Sequence, residues 1–258
     1  TRGIAPDAPD GRPNVQLDDV TYRDEWDVVW KKAFDRAPYI NVDGPLQTLV
    51  DPTPATLDAF NWPDPSDPGR IRGLRERAEK VRNEGDHAIV LNLGNTTFAL
   101  SQRIRGFAEL LEDLILNESY ASALMERVTD VVCGIAEATL AEIGDLVECV
   151  STADDMGIQT QPYMSTDLYR KMVKPHHKRF VETVRRHTNA KVILHSDGAV
   201  APLLTDYIDC GIQILNPVQT NATGMLGADL NREYGKDLCF WGGIDTQEVL
   251  PHGTPEVV

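Results

Sequence analysis

From Arg70 to Trp241 the chain alternates helical and extended patterns joined by short connections, and this alternation restricts its fold more than any other feature. Ile71, Leu74, Ala78 and Val81 recur at helical spacing, Gly85 is a stop signal, and Ala88 to Leu93 form a short apolar run suited to a buried strand. Ile104, Phe107, Leu111, Leu114 and Ile115 make a second helical stripe. Leu124, Val128, Val131, Ile135, Ala138 and Ile143 make a third, ending at Gly144. A strand over Leu146 to Val150 follows, then a helix from near Ser165 that restarts at Pro175 and reaches His187. Beyond it lie a strand at Lys191 to Leu194, a helix at Ala201 to Asp209, a strand at Ile212 to Leu215, a helix at Leu226 to Tyr234 and a strand at Leu238 to Trp241.

Strands that alternate with helices pair in parallel, because each crossover supplies the helix that returns the chain to the same end. Two architectures satisfy that rule. A doubly wound sheet ordinarily carries a glycine-rich phosphate turn after its first strand, and neither that fingerprint nor a Walker pattern occurs. The reading is therefore a (β/α)8 barrel. Five strands are evident, near Val90, Val147, Ile193, Ile214 and Phe240, where a complete barrel needs eight. The chain thus reads as a barrel lacking its first and last elements. It also ends on Thr254-Pro255-Glu256, a pattern that ordinarily opens a helix.

The length of 258 residues suits a single domain. Within it, residues 69–258 read as the α/β core. Residues 1–68 read as an irregular, proline-rich arm and excursion, because Pro45, Pro52, Pro54, Pro63, Pro65 and Pro68 forbid long helices. The net charge of −15 excludes a nucleic-acid partner, since phosphate binding depends on clustered lysine and arginine. No run approaches the roughly 18 apolar residues of a membrane helix, so no membrane association is expected. Four widely spaced cysteines in apolar settings, without a Cys-x-x-Cys pair, point to a reduced, cytoplasmic compartment.

Barrel chemistry resides at the carboxyl ends of the strands. Those positions here carry Asn92, then Asp154, Asp155 and Gln159, then His195 and Asp197, then Asn216 and Gln219, and finally Asp245. Residues two apart on an extended chain point the same way, so His195 and Asp197 can offer an imidazole and a carboxylate to one ligand. Zinc accepts both groups but needs three or four ligands, and the competing reading is a His–Asp hydrogen bond that caps the next helix. Asp154-Asp155 can include a general acid of raised pKa, with Asp155 the preferred candidate; a cap or turn is the alternative. Gly242-Gly243 reads first as a turn, and His176 and His177, on a helix among basic residues, as surface groups.

Ala153-Asp154-Asp155-Met156-Gly157-x-Gln159, His195-Ser196-Asp197-Gly198, Asn216-Pro217-Val218-Gln219 and Gly242-Gly243-Ile244-Asp245 together resemble the uroporphyrinogen decarboxylase superfamily. Asp24-Glu25-Trp26, Trp62-Pro63-Asp64-Pro65 and Gly94-Asn95-Thr96-Thr97-Phe98 fit it more loosely. The resemblance implies a barrel enzyme, and the His-x-Asp-Gly turn is similar to its methyltransferase branch, where a His-x-Cys pair and a later Cys bind zinc. Asp197 stands where that branch has the first Cys, which weakens the soft-metal preference of a thiolate.

On this basis the expected activity is transfer of a methyl group between a small methylated donor and a corrinoid protein or thiol. Zinc would sit at His195 and Asp197, Asp155 would donate a proton or orient the substrate, and Asn92, Gln159, Asn216, Gln219 and Asp245 would line the pocket. The corrinoid would be carried by a partner protein. Cofactor-free uroporphyrinogen decarboxylation is the alternative enzyme, although an acidic strand-end inventory suits that anionic substrate poorly. A barrel without catalysis, serving as a binding partner, is the third reading.

Overall fold

A computed structural model describes residues 1–256. Its centre is a six-stranded sheet of β1 (Arg2–Ile4), β6 (Ile89–Asn95), β7 (Cys149–Ala153), β8 (Lys191–His195), β9 (Ile214–Asn216) and β10 (Cys239–Phe240), in that spatial order. Every neighbouring pair is parallel. The sheet follows chain order and is open among the described residues, with β1 and β10 at its edges. Each crossover after β6 carries helices: α2 (Thr97–Arg105), α3 (Phe107–Leu116) and α4 (Glu118–Ile143) before β7; α5 (Thr166–Met172) and α6 (Lys174–His187) before β8; α7 (Leu204–Cys210) before β9; and α8 (Gly227–Tyr234) before β10.

The amino-terminal segment is more ordered than its composition implies. Arg2–Ile4 is a strand of the main sheet, paired with Ile89 to Leu91, but three residues with only Ile4 buried leave no periodic signal. Between it and α1 (Leu74–Asn83) lies a second, antiparallel sheet of β2 (Val15–Asp18), β3 (Thr21–Arg23), β4 (Val29–Lys32) and β5 (Tyr39–Asp43). Cross-strand aromatics hold it, with Tyr22 stacked on Trp30 and meeting Tyr39 edge-on. The stripe read as one helix through Ile104 and Leu114 is two, broken at Gly106, whose φ of +97° no helix tolerates; Phe107, Ile115 and Leu116 consequently remain exposed. The cysteines also divide: Cys133 and Cys210 are buried as expected, Cys149 is half-buried, and Cys239 is exposed on the edge strand.

The core lies between the sheet and its helices, where Leu91, Val150, Val192, Leu194 and Leu215 meet Leu124, Val128, Phe180, Val184 and Tyr207. Helix α4 packs against α6 and α2, which explains an unexpected burial. His176 and His177 point to opposite neighbours of α6, so both are enclosed rather than solvated. His176 Nδ1 meets Thr129 of α4, and burial pushes this imidazole down to about 4. His177 Nε2 meets Asp154 at 2.8 Å, and its Nδ1 meets the Tyr169 hydroxyl at 2.9 Å.

Asp154, immediately after β7, is fully buried. Its carboxylate accepts from the Thr96 hydroxyl and from the backbone N–H groups of Phe98 and Ala99 in the first turn of α2, besides His177. One side chain thereby ties β7 to α2 and α6. Replacing it strands several buried donors, so Asp154→Ala is expected to lower unfolding stability by about 3–5 kcal/mol. Urea unfolding measures this, and a loss below about 1 kcal/mol would contradict the structural role.

Candidate metal and substrate site

Parallel register brings the polar strand ends together. Asn95 aligns with Ala153, Ala153 with His195, and His195 with Asn216, in one row across four strands. Beyond the row the backbone ladder continues, with Asp154 N–H donating to the His195 carbonyl at 2.9 Å and Ser196 N–H to the Asn216 carbonyl at 2.8 Å. The loops after β7 and β8 consequently leave the sheet side by side. They also touch: Gly198 adopts φ +91°, and a Cβ there would lie 2.3 Å from the carbonyl of Gly157. The glycine of His195-Ser196-Asp197-Gly198 is thus required by both conformation and approach.

The crossing of these loops assembles Asp155, His195 and Asp197. One ligand atom from each lies within 4.8 Å of the others, and all three residues are half-buried. His195 Nε2 is 3.6 Å from Asp197 Oδ2 and 3.9 Å from Asp155 Oδ1, while Asp155 Oδ1 accepts the backbone N–H of Asp197 at 3.0 Å. On the other side of the ring, His195 Nδ1 is 2.7 Å from Asn216 Oδ1. Asn216 is itself oriented, because its amide Nδ2 donates to the Trp241 carbonyl at 2.9 Å. With its oxygen turned to the imidazole, Asn216 accepts from Nδ1–H, and Nε2 is the ring nitrogen that faces the two carboxylates.

Electrostatics follows from this arrangement. The Asp197 carboxylate, then the Asn216 contact and the Asp155 charge, outweigh burial and push His195 up to about 9. Burial, with Asp197 as a neighbouring like charge, pushes the Asp155 carboxyl above its ordinary range. Two carboxylates and one imidazolium leave the cluster one positive charge short. A divalent cation with neutral His195 would balance it, and the 3.6 and 3.9 Å separations of His195 Nε2 from the two carboxylates are a few tenths of an ångström longer than the roughly 3.3–3.5 Å between ligands on a tetrahedral centre with 2.0–2.1 Å bonds. The donor set is one nitrogen and two carboxylates; among the described residues no cysteine joins it, so harder cations are favoured over thiolate-bound zinc. His195 and Asp197 approach to 3.6 Å, slightly beyond an ordinary hydrogen bond, and neither side chain caps the following short helix.

Other sequence candidates divide between two cavities. One, of about 330 Å³, is lined by Gln159, Asp197, Gln219 and Asp245. There Gln219 Oε1 accepts the Gly198 N–H and its amide donates to Gln159 Oε1, both at 2.8 Å. Asp245 accepts the N–H groups of Gln247 and Glu248 and the Asn221 amide, so its carboxylate holds the turn before the short helix α9 (Val249–His252). Gly242 belongs to a turn, as read: a Cβ there would collide with the Pro217 carbonyl. Asn92 stands apart from the cluster, lining a second cavity beneath the antiparallel sheet. That cavity also holds Trp30 and Arg103, neither singled out from sequence, because strand β4 and the loss of solvent around α2 carry no local signal.

In the metal-free protein, NMR should show His195 titrating at about 9, and Asp197→Asn should return it towards the ordinary value of about 6.5. The raised folded-state pKa stabilises fully below about 6.5, and that contribution is lost as pH rises through about 9. Titration near 6.5 in both proteins would contradict the geometry.

The uroporphyrinogen decarboxylase (URO-D) family model matches residues 42–258. No curated protein sequence matches the chain. Among solved structures, a methyltransferase from Methanosarcina mazei is similar, with a TM-score of 0.60, 15% sequence identity, and coverage of 85% of this chain and 70% of the other. At that identity the likeness concerns the fold. Among the described residues no helix is long and apolar enough to cross a membrane.

Proposed function

This chain belongs to the uroporphyrinogen decarboxylase family, and from that premise we propose that it is a metal-assisted methyltransferase acting between a small methylated donor and a corrinoid protein or thiol. The open sheet is read as the larger part of a (β/α)8 barrel, supported by its wholly parallel, sequential strand order. The observation that carries the chemistry is the Asp155–His195–Asp197 cluster, a preorganised, charge-deficient donor set at the carboxyl ends of β7 and β8.

On this reading His195 Nε2 and one oxygen each of Asp155 and Asp197 hold a divalent cation, zinc among them. Bound there, the cation supplies Lewis acidity to the methyl donor or the accepting thiol. Asn216 keeps the proton on His195 Nδ1 and fixes the ring plane, so that Nε2 stays a ligand. Asp155, whose carboxyl is raised by burial and by Asp197, is the group best suited to exchange a proton with a leaving group when it is not engaged as ligand. Gln159 and Gln219 form the hydrogen-bonding wall of the neighbouring cavity. A porphyrinogen bearing many carboxylates would meet an acidic cluster here, which is why decarboxylation is the less favoured activity.

The purified protein should bind about one equivalent of zinc or manganese, and His195→Ala should abolish that binding. With cob(I)alamin as acceptor and a panel of methylated oxygen, nitrogen and sulfur compounds, formation of methylcobalamin should require both the metal and His195. Stoichiometric metal absent from the wild type, or transfer unchanged by the substitution, would sink the proposal. Asn216→Leu should weaken metal affinity about 10- to 100-fold without removing a ligand. Because a proton must leave His195 for a cation to bind, affinity should fall about tenfold per pH unit below about 9; isothermal titration at several pH values checks this.

A further inference from the structure

Arg103 stands out among the arginines. Every other buried or half-buried arginine among the described residues meets a carboxylate, as Arg70 does with Glu25 and Arg105 with Asp113. Arg103, half-buried on α2, has no hydrogen-bond or ion-pair partner for its guanidinium among the described residues. It lies over the Trp30 ring, 4.9 Å from the centroid, and burial presses its pKa down while the charges of Asp155, Asp154 and Asp24 act in the opposite direction. Stacking occupies one face of a guanidinium and leaves its in-plane N–H groups free in a fixed fork. That is the geometry in which arginine grips a carboxylate with two parallel hydrogen bonds.

Arg103 lines the second cavity, about 380 Å³ and within the size range of small-molecule sites. The acceptor oxygens of its acids are already engaged by the protein. Asp24 accepts from the N–H groups of Trp26 and Val28 and from the Trp30 indole; Glu25 is paired with Arg70; Asp7 is paired with Arg77. Arg103 is therefore the lining side chain whose N–H donors are left without a hydrogen-bond partner among the described residues. The remaining walls are largely apolar, with Trp26, Leu100 and Ile135, and Asn92 offers an amide at the strand end.

We propose that this cavity is a binding site for a small organic monocarboxylate with an apolar body, its carboxylate held by the Arg103 fork against Trp30. A single free guanidinium fork sets the limit at one carboxylate, since a second would face Asp24 and Glu25. Assigning that carboxylate to the methyl donor rests on the metal-assisted reading; the pocket itself does not.

Benzoate and benzamide, near-isosteric and differing in charge, separate the two questions. Followed by tryptophan fluorescence and calorimetry, the wild-type protein should bind benzoate on the order of ten- to a hundredfold more tightly than benzamide. Arg103→Gln should abolish that preference, and Arg103→Lys, which keeps the charge but not the fork, should retain part of it. His195→Ala should keep the preference while losing the metal, so failure of the metal reading leaves this result standing. Equal binding of benzoate and benzamide by the wild type, or a preference that survives Arg103→Gln, overturns the assignment.

Discussion

The site depends on the register of a parallel sheet. Because β7, β8 and β9 are aligned without offset at Ala153, His195 and Asn216, the first residues beyond each strand emerge at one height. A slip of one residue would turn His195 to the other face and separate it from Asn216. The apolar residues preceding it, Val192 to Leu194, are fully buried and hold the register against such a slip. Packing of the core and placement of the imidazole are thus a single constraint.

Adjacent aspartates divide two tasks. Asp154 turns inward and is saturated by donors from α2, Thr96 and His177, which makes it a joint between sheet and helices. Asp155 turns outward, accepts one backbone N–H and faces His195. Successive residues leaving a strand alternate in direction, so burial of one exposes the other. The rigidity of the first supports the position of the second, which is the relation expected where a ligand must be held to within a fraction of an ångström.

Much of this was legible in the sequence, and the exceptions have physical causes. His195 and Asp197 are visible because a short apolar run ends on a pair two residues apart, a spacing that strand geometry converts into a common direction. The partnership of His195 with Asn216 is not, since it arises from alignment of strands separated by a helix. His176 and His177 mislead because basic neighbours suggest a wet face, whereas α6 is packed on both sides, against α4 and α7. Strand β1 is too short to show a period, and Asn92 occupies a strand end like the others yet opens on a different cavity. Arg103 reads as one of several basic residues on a helix; only the tertiary arrangement half-buries it and sets it on Trp30.

The central claim is that three side chains from two neighbouring strand ends form one cation site of nitrogen and oxygen donors. X-ray absorption spectroscopy of the zinc-loaded protein tests it most directly. The expected spectrum shows only light scatterers at about 2.0–2.2 Å, including one imidazole. A sulfur scatterer at about 2.3 Å, or a spectrum without an imidazole contribution, would contradict the account.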